Sequence, residues 1–141
     1  WFGLIGALIG MTLGEGCFFS GGRIGVKEPQ RHRILIPIAR QKGRASWYGS
    51  GFHGNVTASG ELFNKKLFTA AHKTLPFGTL VRVSSANQER SVIVRVNDRG
   101  PAHPGRVIDL SEAAAKQIGL KASGIETVVV EVLEPMVASF P

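Results

Sequence analysis

From Ala45 onward, apolar and polar side chains alternate along much of the chain. Val81 and Val83 alternate with Arg82 and Ser84, and Val92, Val94 and Val96 alternate with Ile93, Arg95 and Asn97. A period of two marks strands with one face against a core. Residues 127–133, Thr-Val-Val-Val-Glu-Val-Leu, are β-branched enough for a buried strand. Shorter strands are expected at 45–49, 66–70 and 106–110. One helix stands out: Ser111 can cap it, Glu112 suits the positive end of its dipole, and Gly119 can close it after Ala113 to Ile118. A loop at residues 57–60 leads through Glu61 towards a helical turn at Leu62-Phe63-Asn64. About six strands with one or two short helices predict a mainly β fold, a small barrel whose closure leaves no free strand edge.

The front of the chain breaks this pattern. Residues 1–13 are apolar with three glycines. They are too few to span a bilayer, which takes about 20 residues, but suit the apolar part of a secretory signal. The sole cysteine, Cys17, follows them. Bacterial lipoproteins carry their lipid-bearing cysteine in such a place, after small residues and a leucine; Gly16 fits that pattern and Leu13 stands one position early. Lipidation of Cys17 is one expectation, and a buried or incidental thiol is the other. Residues 18–43 mix Gly, Pro and basic side chains around a short apolar island at 34–38. They are expected to form an extended tether. The division expected is thus a signal-like segment at 1–17, a tether at 18–43, a barrel at 44–134 and a tail at 135–141.

Composition narrows the function classes. With 141 residues, 43% of them hydrophobic, the chain suits one domain with a real core. A single cysteine excludes an internal disulfide framework and a multi-cysteine metal site. The formal charge is +7, which favours anionic partners. However, Arg23, Lys27, Arg31, Arg33, Arg40 and Lys42 face only Glu15 and Glu28 within residues 1–43, so more than half of the excess lies outside the expected barrel. Nucleic-acid binding by the barrel loses most of its support.

Three polar groups stand at positions suited to chemistry. Glu61 follows the loop Thr57-Ala58-Ser59-Gly60, His72 follows the apolar stretch 67–71, and Asp98 ends the strand at 91–97 before Arg99-Gly100-Pro101. Two carboxylates and an imidazole can do acid–base work on a glycosidic bond. Each also has an ordinary alternative: Asp98 as a turn residue or the ion-pair partner of Arg99, Glu61 as a cap, His72 as a hydrogen-bonded barrel residue. Asp109 reads as half-buried and structural, bonded to backbone or Arg106. Trp47, Tyr48 and Phe52 can form a platform for sugar rings or belong to the core. A zinc site from His53, His72, His103 and Asp98 has no His-rich spacing behind it. No phosphate loop, dinucleotide fingerprint or Gly-x-Ser-x-Gly elbow is present.

Five segments in order resemble one bacterial family, the rare lipoprotein A proteins. They are Ala45-Ser46-Trp47-Tyr48-Gly49, Thr57-Ala58-Ser59-Gly60-Glu61, Thr69-Ala70-Ala71-His72-Lys73-Thr74-Leu75-Pro76-Phe77-Gly78-Thr79, Val96-Asn97-Asp98-Arg99-Gly100-Pro101 and Gly105-Arg106-Val107-Ile108-Asp109-Leu110-Ser111. The resemblance covers about residues 44–134. It implies a six-stranded double-psi β-barrel, related to the barwin and expansin domains. It also implies endolytic lytic transglycosylase activity on peptidoglycan, with preference for glycan strands stripped of stem peptides. The family's acidic pair and histidine fall on Asp98, Glu61 and His72, with substrate contacts expected from Trp47, Tyr48, Asn97 and Arg99. After Gly100-Pro101 the family usually carries an aromatic, where this chain has Ala102-His103-Pro104. The peptidoglycan-binding SPOR module common in the family is not expected after the barrel.

The resemblance further implies an exported protein of the bacterial envelope, an outer-membrane lipoprotein facing the periplasm or a free periplasmic one. It is expected to act as a monomer on peptidoglycan glycan strands, without cofactor, metal or nucleic acid. The reaction cleaves the bond from N-acetylmuramic acid to N-acetylglucosamine with closure of a 1,6-anhydro ring. Asp98 is expected as acid and then base, Glu61 as stabiliser of developing charge or as a positioning group, and His72 as a group orienting a carboxylate. Two rivals remain: a hydrolase in the same barrel, and an expansin-like binding protein without turnover.

Overall fold

The alternating valines pair as their spacing predicts. Strand β3 (Leu80–Ser85) lies antiparallel to β4 (Ser91–Asp98), with Val81 opposite Val94 and Val83 opposite Val92. All four side chains are buried. The computed structural model describes residues 34–135. Within them, β1 (Leu35–Trp47), β2 (Thr69–His72), β5 (Arg106–Leu110) and β6 (Glu126–Pro135) complete a closed barrel in the order β1-β5-β2-β4-β3-β6. Two parallel pairs, β1 with β5 and β2 with β4, are set among antiparallel neighbours. The expected mainly β, six-stranded barrel is present.

The interior is filled by Val81, Val83, Val94, Val96, Ile108, Leu110, Val128 and Val130, with Ala45 and Ala70 where strands crowd. Each fully buried Ile or Leu contributes about 1.5–3 kcal/mol through removal of apolar surface from water. Helix α1 (Glu112–Ile118) packs Ala114, Ala115 and Ile118 onto this core, and a short α2 (Leu120–Ser123) follows. Its ends match the sequence signals. The Ser111 hydroxyl accepts the Ala114 N–H at 3.3 Å and donates to the Leu67 carbonyl at 2.6 Å. Gly119 closes the helix at φ 80°, a left-handed conformation that suits glycine. Hydrogen bonds from Lys121 and Lys116 hold the Glu112 carboxyl down at about 2.

The front boundary needs correction. The tether expected to run to residue 43 ends earlier, because residues 35–43 already form the first part of β1. They pair antiparallel with β6, from Leu35 opposite Pro135 to Gly43 opposite Val128. The register shifts between Pro37 and Ala39, as expected where proline has no N–H to give to the ladder. Gly43 belongs to the packed barrel: a Cβ there would collide with the Val107 side chain. Two smaller corrections follow. The strand expected at 66–70 is β2 at Thr69–His72, and Leu62 makes an isolated bridge to Val56 where a helical turn was expected. The signal-like segment, Cys17 and the C-terminal tail from residue 136 lie outside the described residues.

Candidate active site

Asp98 is the last residue of β4, and its carboxylate is held from three sides. Oδ1 accepts the backbone N–H of Ala58 at 2.9 Å and of Arg99 at 2.8 Å. Oδ2 accepts the Tyr48 hydroxyl at 3.1 Å. The loop that reaches Asp98 is itself ordered: Thr57 N–H donates to the Glu61 carbonyl at 2.7 Å, and Ser59 N–H to the Asn97 carbonyl at 3.3 Å. Tyr48 stands edge-on to Phe63, 5.0 Å between ring centres, with Phe52 at 5.4 Å. Burial pushes the Tyr48 phenol well up, helped by the charge and hydrogen bond of Asp98 and then by the charge of Asp109. It therefore stays protonated, able to donate to the carboxylate or accept from the acid. Tyr48, an expected sugar contact, thus also places its hydroxyl on Asp98.

Glu61 stands in a different environment. Arg95 donates to both its oxygens, at 2.6 and 2.9 Å, and Asn97 Nδ2 donates to Oε2 at 3.2 Å. These bonds, Arg95 first, hold the carboxyl below its usual range. Glu61 is thus an ionised, paired group and no proton donor at neutral pH. Asn97, only 3% exposed, spends its amide on Glu61.

His72 is buried, and its Nδ1 accepts the backbone N–H groups of Thr74 and Leu75, both at 3.2 Å. Burial, then the charges of Arg99 and Lys73, push its pKa down, so the ring is neutral with its proton on Nε2. It lines a cavity of about 180 Å³ with Arg40, Thr74, Leu75, Val130 and Val132. No hydrogen bond joins it to Asp98 or Glu61 among the described residues. Its backbone matters more directly. The carbonyls of His72 and Leu75 accept Arg99 Nη1 at 3.2 and 2.7 Å. That guanidinium lies over the half-exposed Phe77 ring, 4.0 Å from its centre. Arg99 is no ion-pair partner of Asp98; it offers a flat cation beside it. Phe77 lies within the segment 69–79, whose sequence gives no sign of this stacking.

Trp47 is the expected contact the structure does not bring to Asp98. It packs against the core on the strand face opposite Tyr48, with Lys121 Nζ 5.6 Å from its ring centre. Asp109, half-buried, accepts from the Ser46 hydroxyl, and Arg106 Nη1 donates to that same oxygen at 2.8 Å. His53, His72, His103 and Asp98 are not gathered: no three metal-ligating side chains cluster among the described residues. His53 Nδ1 instead accepts the Lys65 N–H, and His103 Nδ1 the Gly105 N–H.

Comparison with known proteins adds a family. Residues 40–130 match the family described as lytic transglycolase. A probable endolytic peptidoglycan transglycosylase RlpA of Synechocystis is 55% identical over 98 residues, covering 69% of this chain and 30% of that protein. The endolytic peptidoglycan transglycosylase RlpA of Vibrio cholerae is 50% identical over 93 residues, 66% of this chain and 35% of its own. The chain therefore spans about a third of the length of these curated relatives. Among solved structures, the Streptomyces papain inhibitor aligns with TM-score 0.57 at 21% identity, over 72% of this chain and 100% of its own. A Clavibacter michiganensis expansin aligns with TM-score 0.56 at 22% identity, over 71% and 53%. At such identities the likeness is one of fold alone.

Proposed function

We infer, because the chain belongs to the lytic transglycolase family, that it is an endolytic peptidoglycan transglycosylase whose acid is Asp98. Its curated relatives carry that activity in their names. The observation that carries the assignment of the acid is the contrast between two carboxylates. Glu61 has both oxygens taken by Arg95, whereas Asp98 is fixed by a phenol and two backbone amides at a strand end. Rigid elements hold reacting groups better than loops do.

Asp98 protonates the oxygen leaving C1 of N-acetylmuramic acid, an oxocarbenium-like centre forms, and the sugar's own 6-hydroxyl closes the 1,6-anhydro ring. Glu61 acts through Arg95 and Asn97 to order the loop that brings Ala58 N–H to Asp98. His72 fixes the turn whose carbonyls hold Arg99. Strands without stem peptides expose lactyl carboxylates, and the Arg99–Phe77 pair supplies a cation and an apolar face for them; this supports preference for denuded glycan.

The digestion of denuded and intact peptidoglycan side by side tests this. Anhydro-muramic ends released mainly from denuded strands are expected by mass spectrometry. Reducing ends in their place would mean a hydrolase, and binding without release would mean a wall-binding protein. The protein is further proposed to be a monomer exported to the cell envelope and anchored at the outer membrane, facing the periplasm, through a lipid on Cys17 at the end of a signal-like segment. Protein extracted from membranes should then show acyl mass on Cys17, and a free thiol there would remove the anchor.

A further inference from the structure

A second carboxylate lies in register with Asp98. Ser46 in β1 pairs with Asp109 in β5, Asp109 with Ala71 in β2, and Ala71 with Asp98 in β4. One row thus crosses four adjacent strands. The Ser46 hydroxyl bonds Asp109 Oδ1, so the two side chains share a face. Tyr48, two residues beyond Ser46, returns to that face and reaches Asp98. Between the two aspartates stands only Ala71, whose side chain ends at Cβ. Two strand spacings put their Cα atoms roughly 10 Å apart. The Gly100 turn borders the same row: a Cβ on Gly100 would lie 3.8 Å from Ala71 Cβ and 3.9 Å from Asp109 Oδ2. Both carboxylates also act on the Tyr48 phenol.

The partners of Asp109 leave it available where Glu61 is not. Ser46 takes Oδ1, and Arg106 is held on the Ser46 oxygen. Oδ2 has no hydrogen bond among the described residues and is not sealed from water.

We propose that Asp109 is the second reacting carboxylate of the site, taking the proton of the substrate's 6-hydroxyl while Asp98 protonates the leaving oxygen. The step rests on the transglycosylase reaction above and balances without water. Asp98 gives its proton to the glycosidic oxygen, and the C1–O bond breaks with its electron pair on that oxygen. The 6-hydroxyl oxygen bonds C1, and its proton passes to Asp109 Oδ2. Exchange through solvent then returns both groups to their starting states. Ser46 is a positioning residue, turning Oδ1 away so that Oδ2 faces the sugar.

Asp109→Asn in the full chain tests the assignment, since an asparagine oxygen can still accept from Ser46. Turnover on peptide-free glycan strands should fall at least about 100-fold, with KM within about threefold and melting little changed. A folded variant keeping more than about a tenth of wild-type turnover overturns the proposal. Ser46→Ala covers the case of an unfolded Asp109 variant. It should lower kcat about tenfold at unchanged KM, with Ser46→Thr restoring it; wild-type kcat in a folded Ser46→Ala overturns the positioning role. Amide NMR of wild type with the same strands separates this from failure of the proposed function. Shifts at Ala71, Gly100 and Asp109 are expected, and their absence in an active enzyme overturns the proposal. A wild type that releases no product overturns the transglycosylase reaction, and the proton step with it.

Discussion

Asp98→Asn is expected to keep its fold and lose almost all turnover, falling below about 1% of the wild-type rate on peptide-free glycan. The substitution preserves size and planarity. An asparagine oxygen at the Oδ1 position can still accept from Ala58 and Arg99, the two amides at 2.9 and 2.8 Å. At the Oδ2 position an amide can donate to the Tyr48 oxygen, which turns from donor to acceptor. The local frame therefore survives, and the proton is what disappears. Positioned acid–base catalysis supplies about 10²–10⁴-fold, so the loss should dwarf any effect of a slightly shifted loop. Circular dichroism and melting check the fold, and retained binding of the strands checks the groove. Near-normal turnover in a folded variant would remove Asp98 from the acid's role. Collapse of the fold would make it the turn residue that its place before Arg99-Gly100-Pro101 also allows.

The barrel was legible where local sequence and packing agree. Alternating valines in β3 and β4 announce both strands, and Ser111 and Gly119 mark the ends of α1. The first half of β1 was not, because residues 35–43 are mostly exposed and interrupted by Pro37. What makes them a strand is β6, far along the chain. The site shows the same division. Asp98 at a strand end and Glu61 after a loop could be picked out singly, but what sets their surroundings apart is Arg95, which sits in β4 as one polar residue of an alternating run and pairs with Glu61 alone of the two. Strand parity separates Trp47 from Tyr48, and only the tertiary neighbours say which one meets Asp98. Asp109 reads as structural from the sequence, and its hydrogen bond to Ser46 agrees with that reading. Its place in Asp98's row follows from the register of four strands, two pairs of which are parallel and tied by no short turn.

Glu61→Gln should lower turnover about 10- to 100-fold while leaving the shape of the pH–rate profile unchanged between about pH 5 and 8. Glutamine keeps one acceptor for Arg95 and loses the two-oxygen match, so Arg95 carries an uncompensated charge and the loop holding Ala58 N–H loosens. Little stability goes with it, because the side chains of the pair are 38% and 43% exposed and such pairs contribute at most about 1 kcal/mol. The sign of the pH effect follows from the lowered carboxyl. A depressed folded value means that the pair's contribution is present above the ordinary glutamate range, near about 4.3, and is lost as pH falls through the lower folded value. At pH 5 the pair is therefore intact in wild type, and no limb of the profile above that pH belongs to it. A profile that falls in height and keeps its limbs fits a group that works through Arg95 and Asn97. If a limb vanished or moved in Glu61→Gln, Glu61 would be titrating in the reaction itself, and the acid pair would have to be Asp98 with Glu61 across the loop, with Asp109 returned to a structural part.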